Sequence, residues 1–277
     1  MKRTFYADHL SWSSSGYSFL SSSTTDPDLS KNPNAASWIR LEGIIAKAKI
    51  GDFSEINQVI DFYNTTQNAW VLKRTCIEML GDIGTTTCFR RMTEELKGKL
   101  DPDKSLHFCS AFTAWGSLSA VPTIAFQYQK FIDSSDFKVV PLFLSSLLEP
   151  EWGRISNAPR PDDVDEYYDF VMNRYNDLKK RFGTDQVIML NGEIFGVVPL
   201  AKLALTRLSD KPFDSTFQPF FRRRFEASTG IDCMRLFKDG MFQSLEASEV
   251  IEIFLQSPEV AKYQDGVRYF FGHRIPE

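Results

Sequence analysis

Two glycines three residues apart, Gly81 and Gly84 in Leu-Gly-Asp-Ile-Gly, are the first residues whose spacing suggests chemistry. A glycine loop can turn backbone N–H groups toward a phosphate. A P-loop, however, needs G-x-x-x-x-G-K-[ST] after a strand, and a dinucleotide fingerprint needs G-x-G-x-x-G. Neither spacing is present, and both flanks carry a helical period, so the glycines read as a bend between helices. Metal ligation has little more to offer. His107 and Cys109 lie two apart, which on a helix turns them about 200° away from each other. His9 and His273 are remote in sequence, and Cys76, Cys88, Cys109 and Cys233 form no C-x-x-C pair. Each cysteine sits in an apolar helical pattern and reads as a buried free thiol of a reducing compartment. No metal or other cofactor is expected. There is no G-x-S-x-G elbow for a nucleophile. Carboxylates crowd at Asp162, Asp163, Asp165, Glu166 and Asp169. Acid–base work is one use for them, and a solvated, acidic helix start is the commoner one. No catalytic constellation emerges, and the expectation is a protein that is not an enzyme.

Charge is more informative than motif. The net charge of −4 argues against a surface built to neutralise nucleic-acid phosphates. It conceals a segregation. From Glu149 to Phe170 there are seven acidic and two basic residues; from Val171 to Arg224 there are ten basic and five acidic. One reading is a set of solvated faces with helix-dipole compensation. The other is an acidic, aromatic patch of Trp152, Asp162, Asp163, Asp165, Glu166, Tyr167, Tyr168 and Asp169 that receives a basic protein. The triplet Arg222-Arg223-Arg224, set among Phe220, Phe221 and Phe225, offers a nucleic-acid contact instead. Three successive helical positions spread over about 200° and make a poor stripe, so salt partners within the fold are the stronger expectation.

The elements that must position these residues are helical. Leu72, Cys76, Met79, Leu80 and Ile83 recur at spacings of four and three, then Phe89, Met92 and Leu96 make a second stripe after the glycine turn. A threonine can cap the second helix. This hairpin has echoes. Ile50-Gly51 precedes its helix as Ile83-Gly84 does, 33 residues apart; Trp38-Ile39 and Trp70-Val71 are 32 apart; Leu80-Gly81 and Trp115-Gly116 are 35 apart. Pro122 suits a first helical turn, and "FKVVPLFLSSLL" opens a fourth unit. Stacked helical hairpins are what such a period implies. Beyond Pro150 the regularity breaks. "VDEYYDFVMNRYNDLKKRFG" reads as a long helix begun by Asp162 or Asp163 and stopped at Gly183. "EIFGVVPLAKLALTRL" reads as a helix kinked near Pro199, and the remaining C-terminal third reads as helical. Residues 11–34 are polar and irregular. Neither an apolar secretory run nor a span of 18 apolar residues is present, so a cytoplasmic location is expected.

"AWVLKRTCIEMLGDIGTTTCFRRMTEEL" and "AWGSLSAVPTIAFQYQKF" resemble HEAT repeats, in which a helix ending near Leu-Gly-x-(Ile/Leu)-Gly leads to one often opened by Ala-Val-Pro. The resemblance covers about residues 36–150. It implies an all-α, HEAT-like solenoid. The organisation expected is an irregular segment 1–35 and one helical-repeat domain 36–277, regular over 36–150 and degenerate over 151–277. The fold and charge are also similar to those of bacterial toxin-immunity proteins of the contact-dependent growth inhibition type. That similarity implies capture of a basic nuclease toxin and occlusion of its active site, with carboxylates standing in for RNA phosphates and no direct nucleic-acid or membrane binding. The alternatives are a HEAT-repeat scaffold or adaptor, or a HEAT-like nucleic-acid-binding protein or enzyme of the kind seen among DNA-repair glycosylases and bilin lyases.

Overall fold

The structure is a computed structural model that describes residues 31, 37–66, 70–98, 101–150, 163–210, 217–233, 236–238 and 241–277. The expected irregular segment 1–35 lies outside these, apart from Lys31. Eleven α-helices and three two-stranded hairpins occur among the described residues, so the chain is mostly helical. The residues group into two compact units, one made of 1–85 with 196–277 and the other of 86–195. Neither coincides with the 36–150 and 151–277 stretches set apart by the repeat pattern. The first unit is discontinuous, because the C-terminal third returns to the N-terminal helices.

In the first unit, α1 (Ser37–Lys49), α2 (Gln58–Thr65) and α3 (Trp70–Ile83) come from the N-terminal part. The second supplies α4 (Thr86–Glu95), α5 (Pro102–Trp115), α6 (Val121–Lys130), α7 (Val140–Leu148), α8 (Val164–Phe182) and a hairpin of β1 (Met189–Leu190) and β2 (Glu193–Ile194). The first unit then resumes with α9 (Val197–Asp210), α10 (Phe217–Thr229), β3 (Phe237–Lys238), β4 (Met241–Phe242), α11 (Ser244–Gln256), β5 (Tyr269–Phe270) and β6 (His273–Arg274). Local chemistry explains the boundaries. Asp101 accepts from the N–H of Asp103 at 3.0 Å, Pro102 occupies the first turn of α5, and Gly116 ends it in a left-handed conformation. Pro122 lies in the first turn of α6 as its position suggested. Pro199 sits in the first turn of α9 and kinks nothing, because Glu193–Ile194 before it is a strand and the helix begins only at Val197. The end of the chain is likewise not the expected helix but a 3-10 turn, Pro258–Lys262, and the β5–β6 hairpin.

The stripes read from the sequence become the cores. Leu72, Cys76, Met79, Leu80 and Ile83 are buried in α3, and α3 packs on α2. In the second unit, α6 packs on α8, and α5 packs on α6 and α7. Phe89 meets Phe112 and Trp115 with ring centroids 4.8 and 4.9 Å apart, geometries that favour aromatic pairs. All four cysteines are free and buried. Burial pushes the Cys76 thiol up to about 12, which removes the thiolate that reactivity requires.

Both units use one device to finish a helix. In the β1–β2 turn, Asn191 and Gly192 adopt positive φ of 54° and 72°, and their N–H groups donate to Ser146 and Leu147 carbonyls at the end of α7, each at 2.9 Å. In the β5–β6 turn, Phe271 and Gly272 adopt 49° and 76° and donate to Ala227 and Ser228 at the end of α10, at 2.7 and 2.8 Å. Helix C-terminal carbonyls have no partner within their own helix, and a tight turn with two positive φ values presents adjacent N–H groups to them. A Cβ on Gly192 would stand 2.8 Å from the Leu148 carbonyl oxygen, so glycine is required there.

Candidate functional site

The acidic patch maps onto the start of α8. Its apolar stripe, Tyr167, Val171, Tyr175 and Leu178, is buried, which leaves Asp165, Glu166 and Asp169 exposed on the opposite side, with Asp163 exposed at the N-cap. Asp165 accepts from Gln129 Nε2 at 2.8 Å. No salt bridge to Asp163, Glu166 or Asp169 occurs among the described residues. Tyr168 is half-buried beside them. Tyr167 does not belong to this surface. It is 1% exposed, and its ring meets that of Tyr128 edge-on at 5.4 Å. Burial, with the negative charge of Glu149 beside it, pushes its phenol upward. Position 167 falls on the stripe that α8 turns toward its unit, so helical phase overrides its sequence neighbours. Trp152 and Asp162 lie outside the described residues.

The basic end of α8 is built differently. Lys179 and the Tyr175 hydroxyl both donate to Asp185 Oδ2, at 2.8 and 2.6 Å. These bonds hold the Asp185 carboxyl down at about 2. Tyr175 is pushed upward by burial and by its bond to Asp185. A tyrosine so held is a poor base, and the trio is a surface tie. Arg181 makes a two-pronged pair with Glu193 at 2.7 and 3.0 Å. Arg174 reaches Glu149 at 3.3 Å. Arg174, Lys179 and Arg181 are thus engaged in their own unit and Lys180 is exposed, while acids at the start of the helix face outward. Acids at the start and bases at the end also complement the helix dipole.

The arginine triplet goes into the core. Residues 221–228 of α10 are all buried, so the helix is enclosed on every side and three successive arginines have no route to solvent. Phe217, Phe221 and Phe225 stack along one edge, with centroids 6.0 and 5.2 Å apart. Buried charge must be matched. Arg223 Nη2 donates to Asp82 Oδ2 at 2.5 Å and to the Glu78 carbonyl oxygen at 3.1 Å, while its Nη1 lies 3.3 Å from Glu78 Oε2. Arg224 stands 3.8 Å from Asp82 Oδ1. Arg222 lies 3.7 Å from the carboxylate of Glu226, which is 0% exposed. The nucleic-acid reading of the triplet therefore fails on burial, and the expectation of partners within the fold holds.

Gly81 and Gly84 join this cluster through their carbonyls. Arg268, just before β5, donates to Gly84 O at 2.6 Å and to Gly81 O at 2.7 Å. Helix α3 has no basic residue in its last turn, and Arg268 supplies the positive charge that its C-terminus lacks. A Cβ on Gly84 would lie 2.3 Å from the Leu80 carbonyl oxygen. The glycines face an arginine and cradle no phosphate. Earlier in the chain, Lys49 ends α1 with its ammonium 4.5 Å from the Phe271 ring centroid. Burial lowers its pKa to about 7, against the opposing pull of Glu226 and Glu42.

Among the described residues, no group of three or more His, Cys, Asp or Glu is arranged to hold a metal ion, and no helix is long and apolar enough to cross a membrane. Compared with protein-family models, curated proteins and solved structures, the chain shows no match. The hairpins escaped the sequence reading, although Met-Leu-Asn-Gly-Glu-Ile carries a strong local hairpin signal in Asn-Gly.

Proposed function

We propose that the chain is a protein-binding module that holds a basic partner against the exposed acidic face at the start of α8, and that it serves as an immunity protein toward a nuclease toxin. The observation that carries the reading is the asymmetry of α8. Three of its four bases, Arg174, Lys179 and Arg181, are matched within their own unit and Lys180 is exposed, whereas Asp163, Glu166 and Asp169 present carboxylates to solvent. A preformed anionic surface of this kind speeds encounter with a cationic protein and fixes its register. Carboxylates along a helix can occupy the places of RNA phosphates in a nuclease cleft, so occlusion would be both steric and electrostatic. Stacking of sequential helices, α2 on α3 and α5 on α6 and α7, supports a HEAT-like solenoid as the scaffold. The burial of Arg222, Arg223 and Arg224 counts against the nucleic-acid-binding alternative.

The test is charge reversal. The full-length chain and its Asp163→Lys, Asp165→Lys, Glu166→Lys variant are titrated against a basic nuclease encoded beside it, following both binding and RNA cleavage. The expected result is inhibition by the native chain and a loss of affinity of about 100-fold or more in the variant, at about 1 kcal/mol or more per reversed charge. Equal inhibition by both proteins removes this face from the mechanism. Recovery of the chain in a stable multi-subunit complex, with no toxin among its members, would favour the scaffold reading.

A further inference from the structure

A second exposed surface lies on α11, in the other unit. Ala247, Ile251 and Phe254 are its buried side chains. Placed on a helical wheel, Leu245, Glu246, Glu249, Glu252, Ile253 and Gln256 fall within an arc of about 120° centred opposite that buried stripe, and all six are exposed. Leu245 is 85% exposed and Ile253 is 62% exposed. Two of the seven large apolar side chains exposed among the described residues therefore project from one face of this 13-residue helix. They stand about 12 Å apart along its axis, with Glu249 between them. Scattered single apolar residues on a surface need no explanation. Two large ones in one arc, interleaved with three carboxylates that show no ion pair among the described residues, form a patterned face.

We infer that this face of α11 docks a basic amphipathic helix of a partner protein. The partner's apolar stripe would lie along Leu245 and Ile253, with its lysines or arginines against Glu246, Glu249 and Glu252. Charge selects this occupant over the others. A second copy bound through the same face would bring carboxylates against carboxylates across the two-fold axis. An anionic lipid surface and a nucleic acid would repel the same three groups. A facing helix satisfies both features at once, since its apolar side chains can cover Leu245 and Ile253 while its cations meet the carboxylates between and beside them. The surface stands independently of the acidic face of α8.

The experiment uses the full-length chain and a fluorescently labelled Lys/Leu amphipathic helical peptide as long as α11, with a Glu/Leu peptide of the same pattern as its counterpart. Binding is followed by fluorescence anisotropy. The expected result is saturable binding of the Lys/Leu peptide and none of the Glu/Leu peptide. Affinity should fall by about tenfold or more in Glu249→Lys, Glu252→Lys and, separately, in Leu245→Ser, Ile253→Ser. All four positions are exposed, so the variants should keep the native circular dichroism spectrum. Peptide affinity unchanged in either double variant overturns the proposal, as does equal binding of the two peptides. Loss of binding in the α8 variant Asp163→Lys, Asp165→Lys, Glu166→Lys would move the peptide to α8 and also overturn it. So would a dimer, seen by sedimentation, that Leu245→Ser, Ile253→Ser dissolves.

Discussion

Replacing Arg223 by methionine isolates the buried charge cluster. The substitution roughly conserves volume, so the cavity contribution is small, and the effect reports the electrostatics. Arg223 is 5% exposed. It contacts the Asp82 carboxylate at 2.5 Å, the Glu78 carboxylate at 3.3 Å and the Glu78 carbonyl at 3.1 Å. Without it, two carboxylates one helical turn apart, the buried Asp82 and the half-buried Glu78, face each other. Removing one member of a buried pair costs about 3–5 kcal/mol. Arg224 at 3.8 Å from Asp82 and Arg74 at 2.9 Å from Glu78 remain, which places the expected loss near the lower end, about 3 kcal/mol. Neutralising the stranded partner should then restore stability. Arg223→Met with Asp82→Asn is expected to be less destabilised than the sum of the two single variants by about 2 kcal/mol. Urea unfolding followed by circular dichroism measures all four corners of the cycle. Two units need not unfold together, so the transition that moves with Arg223→Met should be the one assigned to residues 1–85 and 196–277. A loss below about 1 kcal/mol, or strict additivity, refutes the account. The same variant separates core from surface, because a nucleic-acid-contacting Arg223 would lose polyanion binding at unchanged stability.

Arg268→Ala should release the Gly81 and Gly84 carbonyls and cost about 2–4 kcal/mol, from two charge-assisted bonds of about 1.5–3 kcal/mol each less what water recovers. Denaturant midpoints check this, and faster hydrogen exchange in β5 and α3 should accompany it. Lys49 gives a pH signature. Its folded pKa is lowered to about 7 from the ordinary 10.5. Between those values the unfolded chain binds more protons than the folded one, so its contribution to stability rises with pH across that window. Below pH 7 the ammonium is charged in both states and carries its full burial penalty. Relative to Lys49→Met, the native chain should therefore gain about 2 kcal/mol between pH ~6 and pH ~9. Parallel stability–pH curves for the two proteins would show that Lys49 keeps an ordinary affinity for protons in the fold.

Helical phase is a local property, and it was legible. The spacing of Leu72, Cys76, Met79, Leu80 and Ile83 picked out residues that α3 buries, although Thr75, Ile77 and Asp82 on its other sides are buried as well. Gly183, in a left-handed conformation with φ of 74°, stops α8 where the sequence placed the stop. The four cysteines lie in the cores that their apolar neighbours announced. The Asn-Gly of the first hairpin was readable too, but strands of two residues are too short to show an alternating pattern. What only the tertiary structure decided is the environment on the remaining sides of each helix. Arg222-Arg223-Arg224 looks like a surface run, because charge ordinarily stays in water. It becomes core because α10 is enclosed on every side and because Asp82 and Glu78, more than 140 residues earlier in the chain, arrive beside it. Tyr167 stands among five exposed-looking acidic and aromatic neighbours, yet its phase on α8 sends it inward. Leu245 and Ile253 fit an apolar helical pattern, yet they remain outside because Ala247, Ile251 and Phe254 occupy the packed side of α11. Periodicity determines that a helix has a face to bury; only the long-range return of the chain determines how many of its faces are covered, and by what.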